Sequence, residues 1–383
     1  MDTIVLSIPI DNIDIKNYDR FTPNAITVLR SNKFIKGYNN PSRQEILCDY
    51  KPKLTLCRRF PREKSTLTVE FSAPKIVFNG DNISEVDDSY FDELVDKLYQ
   101  KIQTMGVYIS KDYIINAPVS AFHPSKNILI VSGYTSRGII AELRKINVPK
   151  RFDVDNKTFR NNGYSLQFRT EVNSIVFYDK IADIGKPVKS SIDQEKTNAQ
   201  LELFDTIENN RRQNPIEIFR MEIRLNGKQK IKEVLRKVGY GHIINPTLKD
   251  IFKKDLCQKI LKTYWEEIIL ENNIFLFGIE EKPQKILNDI LKHPPDGQDK
   301  IKQLKQAIFL TGIIALCKDE EGVRGLRAIV EESFSQRTWY RTVSDELKKA
   351  NKAYKPTNCY GFISQITEAI DKFERIDSSS LTI

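Results

Sequence analysis

Asn173-Ser-Ile-Val-Phe-Tyr-Asp-Lys180 and Phe219-Arg-Met-Glu-Ile-Arg-Leu225 decide the fold of this chain. Each alternates apolar and polar residues, and a period of two predicts a half-buried strand. The first strand sends Tyr178 and Lys180 to one face. The second sends Arg220, Glu222 and Arg224 to one face, with Phe219, Met221, Ile223 and Leu225 packed behind. A tyrosine, a lysine, a carboxylate and two arginines on neighbouring strands suit phosphodiester chemistry.

Further segments extend the sheet and the site. Ile4, Leu6, Ile8 and Ile10 alternate and predict a first strand over 3–10. Leu67–Phe71 with Ile76–Phe78, Ile128–Ser132 and Glu217–Leu225 are the other strand candidates. Ser65–Phe71 puts Thr66, Thr68 and Glu70 on one face. Asn116–Asn127 ends an apolar run at His123, one of only three histidines. Between the strands, Phe91, Leu94, Val95, Leu98 and Ile102 recur at helical spacing and predict a helix over 88–106 stopped by Gly106. A shorter helix is predicted over 136–145. Strands interleaved with helices predict an α+β domain, a sheet with helices on one face, over residues 1–243. The polar stretch 182–214 reads as a solvated helix and loop, placed where it could also move over the site.

From Pro246 the pattern turns helical, predicting an all-helical domain over 244–376 and a frayed tail over 377–383. Helices are predicted over 248–271, 284–292 and 299–316. Two more, 321–332 and 336–347, are separated by Ser333-Phe-Ser335, with Ser335 as N-cap. This pair reads either as a helix-turn-helix presenting Arg337, Thr338 and Arg341 to DNA or as a bundle with a basic face.

The chain has 383 residues, with 60 lysines and arginines against 51 acidic residues and a formal charge of +9. That balance favours a polyanionic partner, and 15 tyrosines and 20 phenylalanines provide rings that can stack on unpaired bases. The densest basic segment, 51–64, offers Lys51, Lys53, Arg58, Arg59, Arg62 and Lys64 to DNA phosphates. Five cysteines lack CxxC spacing, so a zinc or redox pair is not predicted and a reducing cytoplasm is. The opening residues lack the basic leader of a signal peptide, and no stretch predicts a membrane span.

The chemistry follows from the residue types. A tyrosine hydroxyl titrates near pH ~10 and is a weak nucleophile toward a charged phosphate. A divalent cation, Mg²⁺ or Mn²⁺, would lower that barrier through hard oxygen donors and an imidazole. Glu222, His123 and Glu70 supply these groups, while Lys180, Arg220 and Arg224 would neutralise the phosphorane. Each residue also has a structural reading. Tyr178 could sit at a core edge, Glu222 in an arginine ion-pair ladder, His123 in a satisfied loop, and Glu70 in solvent.

Taken in order, these segments resemble the gene II/X replication initiators of filamentous phages and related plasmid proteins, within the HUH-type rolling-circle endonucleases. Met1-Asp-Thr-Ile-Val-Leu-Ser-Ile-Pro9 resembles the family's opening strand. Thr68-Val-Glu-Phe-Ser-Ala-Pro-Lys75 is similar to its Val-Glu-Ile-x-x-Ser-Pro-x-Lys segment. Val119-Ser-Ala-Phe-His123 occupies the place of its Ile-Ser-Arg-Ile-Asp strand. Ile175–Lys180 resembles its Val-x-Tyr-x-Lys nucleophile strand, and Phe219–Leu225 its Val-Arg-Phe-Glu-x-Arg-Ile strand. A weaker likeness covers Phe334–Val343.

The resemblance implies an HUH-like antiparallel-sheet domain with helices on one face, followed by an all-helical domain. It implies a nickase and strand transferase that starts rolling-circle replication through a 5′-phosphotyrosine. Tyr178 would be the nucleophile, with Lys180 beside the phosphate. His123 would stand in place of a metal-binding aspartate, and Glu222 would be a second ligand. Partners would be origin DNA, single-stranded or hairpin, and host replication helicase and polymerase, in a bacterial cytoplasm. The sequence departs from the family in having no His-hydrophobe-His triplet. Two other readings stand beside it: a non-catalytic origin- or single-strand-binding protein, and a strand-transfer enzyme of a mobile element.

Overall fold

The computed structural model describes residues 1–58, 65–148, 159–160, 163–185, 197–198, 200–202, 205–206, 216–279, 282–292, 299–319 and 321–381. The chain is mixed α and β, with a large antiparallel sheet. It divides into two compact units, each made of separated stretches. The first takes Met1–Leu129, Glu171–Leu261 and Phe373–Ile383; the second takes Ile130–Thr170 and Lys262–Lys372. These units do not follow the expected boundary at 243, because contacts distant in sequence close the first one. Near the carboxyl end, Ile376 accepts a hydrogen bond from the Glu85 backbone N–H, and Ser378 bonds Ser84. The residues expected to fray therefore begin with a bonded segment.

The sheet of the first unit is built from β1 (Thr3–Pro9), β2 (Ile35–Asn39), β3 (Lys53–Arg58), β4 (Ser65–Ser72), β5 (Val119–Phe122), β6 (Ser125–Ile130), β7 (Asn173–Asp179) and β8 (Glu217–Asn226). Its order is β2-β3-β4-β1-β5-β8-β7, with β6 pairing β8. Each neighbouring pair along that order is antiparallel. One face is the core. Ile4, Leu6, Ile8, Leu67, Val69, Phe71, Met221, Ile223 and Leu225 are all but completely buried there.

The opposite face is polar, and the register carries it across the sheet. Glu70 lies opposite both Lys53 and Val5, Val5 opposite Ala121, and Ala121 opposite Asn226. Side chains two apart along β8 share that face, so Arg220, Glu222 and Arg224 belong to it. Tyr178 lies opposite Arg220 and joins them.

Several elements differ from expectation for local reasons. Ile76–Phe78 is not a strand: Ala73–Val77 is a short helix, and Pro74 in its first turn favours that start. Lys180 is not a strand residue. Asp179 caps the helix Lys180–Ile184 by accepting from Ala182 N–H, so the chain leaves the sheet there. Residues 53–58 of the basic segment form strand β3, whose Leu54 and Leu56 are in the core. The predicted strand over 128–132 begins earlier, at Ser125. The helix Phe91–Thr104 ends as expected, with Gly106 at a φ of 75°.

The second unit is mainly helical, with helices Pro283–Lys292, Lys300–Cys317, Gly322–Ser333, Ser344–Ala353 and Gly361–Lys372. Ser335 caps the following turn, accepting from Thr338 N–H. Gln336–Thr338 then continues through one π-turn, Trp339–Val343, into Ser344–Ala353. No helix among the described residues is long and apolar enough to cross a membrane. Cys48, Cys57, Cys257, Cys317 and Cys359 form no disulfide.

Candidate active site

The polar face expected to be half-buried is buried where it matters. Every residue of β7 is buried, and so is β8 from Glu217 to Ile223. Charges removed from water must be paired or hydrogen-bonded, and these are. Glu222 is the centre. Its Oε1 accepts from Arg224 Nε at 2.7 Å, and its Oε2 accepts from the Tyr178 hydroxyl at 3.1 Å. His123 brings Nδ1 to 3.6 Å from Glu222 Oε1, while its Nε2 lies 3.1 Å from Asn226 Oδ1.

Arg220 is fully buried and holds the other half of the cluster. Its Nη2 lies 2.8 Å from Asp2 Oδ2 and 2.8 Å from Ser125 Oγ. Its Nη1 donates to the Asn82 carbonyl and to Asn127 Oδ1, each at 3.3 Å. Its Nε is buried without a hydrogen-bond partner among the described residues, 3.9 Å from Glu222 Oε2. The Tyr178 ring has Lys180 Nζ 5.8 Å and the Arg220 guanidinium 5.9 Å from its centroid.

These surroundings set the proton affinities. Burial lifts the Tyr178 phenol well above its ordinary value; Arg220 opposes that shift and Glu222 adds to it. Burial lowers Lys180 to about 7, and neighbouring Arg220 pushes the same way. Burial alone would raise Glu222, but Arg224 and Arg220 outweigh it and hold the carboxyl below its usual range. Asp2 is likewise held down, by Arg220 and Lys180 against burial. Tyr178 is therefore a neutral donor to an ionised Glu222.

Some predicted residues do not join this cluster. Glu70 is exposed on β4, three strands from β8 and in register with Asn226 rather than Glu222. Strand spacing of about 4.8 Å and a rise of about 3.4 Å per residue put its backbone roughly 20 Å from that of Glu222. Glu70 is therefore not a ligand beside it. Lys51 is paired with Glu45 at 3.0 Å, and Arg58 Nη1 donates to Ser65 Oγ at 3.4 Å. Lys53 is half-buried on β3. Arg59, Arg62 and Lys64 lie outside the described residues. Arg337 and Arg341 are exposed one helical turn apart in the second unit.

Sequence reading missed Asp2, Asn82, Ser125 and Asn127. Ser125 and Asn127 did leave a signal, two small polar residues spaced by two at the start of an apolar strand. Asp2 and Asn82 left none, because only the fold brings them to Arg220. Of the 182–214 stretch, most of which lies outside the described residues, Thr197 and Gln200 touch the same region. Buried Gln200 donates to Asn82 Oδ1 at 3.1 Å, and buried Thr197 donates to the Asn79 carbonyl at 3.3 Å.

The donors do not fit a divalent cation. Both oxygens of Glu222 are engaged by Arg224 and Tyr178, and both His123 nitrogens face acceptors. Arg220, Arg224 and Lys180 together set a field suited to an anion. No group of three metal-ligating side chains occurs among the described residues. Adding EDTA is accordingly expected to leave the thermal midpoint unchanged. Mn²⁺ should bind wild type no more tightly than Glu222→Gln in isothermal titration calorimetry; tighter binding to wild type would restore a metal role for Glu222.

Comparison of the chain with protein-family models, curated proteins and solved structures finds no match.

Proposed function

We propose that this chain is a DNA strand transferase that nicks a single strand through a phosphotyrosine at Tyr178, initiating rolling-circle replication of a phage or plasmid. One observation carries the reading. The Tyr178 hydroxyl and the unpartnered Nε–H of Arg220 both lie against Glu222 Oε2, at 3.1 Å and 3.9 Å. A buried donor without an acceptor beside a tyrosine hydroxyl suits a phosphate oxygen, which would supply the missing acceptor.

In the proposed step the Tyr178 oxygen bonds to phosphorus and its proton passes to Glu222. The bond from phosphorus to the 3′ oxygen breaks, and Lys180 protonates that oxygen to leave a 3′-hydroxyl. Lys180, lowered to about 7, is matched to giving up a proton near neutral pH. Arg220 and Arg224 meet the charge that builds on the phosphorane. Arg224, the most exposed charged side chain of the cluster, marks the side from which the strand enters. The chemistry is read without a cation, since the donors here suit an anion.

The test is incubation with end-labelled single-stranded and hairpin origin DNA, with Mg²⁺, with Mn²⁺, and with EDTA. A covalent adduct is expected in all three conditions and is lost in Tyr178→Phe. An adduct retained by Tyr178→Phe would dismiss this nucleophile, and an adduct seen only with metal would dismiss the cation-free step. A second reading draws on the satisfied pairs Glu222–Arg224 and Asp2–Arg220, which also suit a non-catalytic DNA-binding protein. Binding without any adduct would select it.

A further inference from the structure

The helix Lys300–Cys317 has an apolar face that the described residues of its own unit do not cover. Ala307, Leu310, Thr311, Ile313, Ile314 and Cys317 are buried on one side. On the other, Ile301, Leu304, Ile308, Phe309 and Leu316 are between 46% and 66% exposed. Their spacing of three, four and seven residues makes one continuous stripe. From Gln306 to Cys317 the helix carries no charge at all. A helix apolar on every side belongs in an interior, and this one has water along half of it.

Gly312 supplies a second observation. It sits mid-helix on the exposed side, and a Cβ added there would meet nothing within 4 Å. Glycine disfavours a helix relative to alanine, and no neighbour among the described residues requires it. Close approach by another backbone does.

We propose that this face pairs with the same face of a second copy of the chain, the two helices running antiparallel about a two-fold axis at Ile308 and Phe309. Three features select a second copy over another partner. The stripe is self-complementary: antiparallel pairing sets Ile308 against the second copy's Phe309, and Ile301 against its Leu316. The same pairing brings exposed Lys302 beside the last turn of the other helix, where the helix dipole favours a cation. The area also matches. At about 200 Å² per large side chain, the exposed fractions leave roughly 550 Å² of apolar surface, most of the roughly 800 Å² each partner gives to a standard interface. A patch of that size is at the upper end of what monomers expose.

Sedimentation velocity of the full chain over a dilution series tests this. Wild type is expected at twice the chain mass, moving to the single mass on dilution. Ile308→Glu and Phe309→Lys should each remain at the single mass with an unchanged circular dichroism spectrum, because both side chains are exposed. Mixing the two variants should restore the double mass, because the pairing sets the new carboxylate against the new ammonium. Wild type at the single mass throughout, or variants that stay double, would overturn the proposal. A mixture that stays single would overturn the antiparallel pairing.

Discussion

Replacing Arg220 with alanine is expected to lower the unfolding free energy by about 3–5 kcal/mol. The guanidinium is fully buried and is the charge partner of Asp2, at 2.8 Å. It also supplies hydrogen bonds to Ser125, Asn127 and the Asn82 carbonyl. Alanine would leave an ionised carboxylate without its arginine and several acceptors without donors, and orphaned buried groups are costlier than lost contacts. The pair also sets an acid limit. Asp2 titrates below its ordinary 3.8, so its contribution is fully present above that value and is lost as pH falls further. Urea melts at neutral pH measure the effect. Arg220→Met with Asp2→Asn should recover much of the loss, because the two charges then leave together. A single-variant loss below about 1 kcal/mol would mean that the carboxylate finds water or another cation.

Replacing Lys180 with methionine is expected to stabilise the protein at neutral pH, by up to about 4 kcal/mol. Lys180 is almost completely buried, and its ammonium is lowered from 10.5 to about 7. Between those values the unfolded chain binds a proton that the folded chain does not. Stability therefore rises with pH across the window, by at most about 1.4 kcal/mol per unit. The stability linked to Lys180 is fully present above 10.5 and is lost as pH falls through about 7. Above about pH 9 an opposing trend enters. Burial pushes the Cys257 and Cys317 thiols to about 12, so the folded chain there holds protons the unfolded one releases. The clean interval is pH 7 to 9, where urea midpoints of wild type should climb and those of Lys180→Met should stay level. A flat wild-type profile would mean that the ammonium is solvated. A charge held at such a disadvantage is what the proposed proton donor requires, and Lys180→Met should lose cleavage as it gains stability.

Much of the fold could be read because alternation along a strand is a local property. Asn173–Tyr178 and Glu217–Leu225 form strands and pair, and Tyr178, Arg220, Glu222 and Arg224 share a face. Whether that face meets water is not local. The Asn82 carbonyl covers Arg220 from far along the chain, and Asp2 arrives from β1. A pattern that looked half-exposed is therefore buried. The same limit misplaced Glu70. Its strand was predicted, but strand order decides which strand lies beside it, and β1 and β5 stand between β4 and β8. Lys180 was assigned to the right residue pair but the wrong element, because a capping aspartate ends the strand one residue earlier.

The bonds joining Glu85 to Ile376 and Ser84 to Ser378 have a consequence in time. They span sequence separations of 291 and 294 residues. At about 5–20 residues per second, a ribosome that has made Glu85 needs roughly 15–60 s to deliver Ile376. Until then Glu85 and, once made, Lys126 are without the segment that later bonds beside them. Chaperones and proteases meet the unit in that unfinished form, so this later-made segment acts as its closing latch.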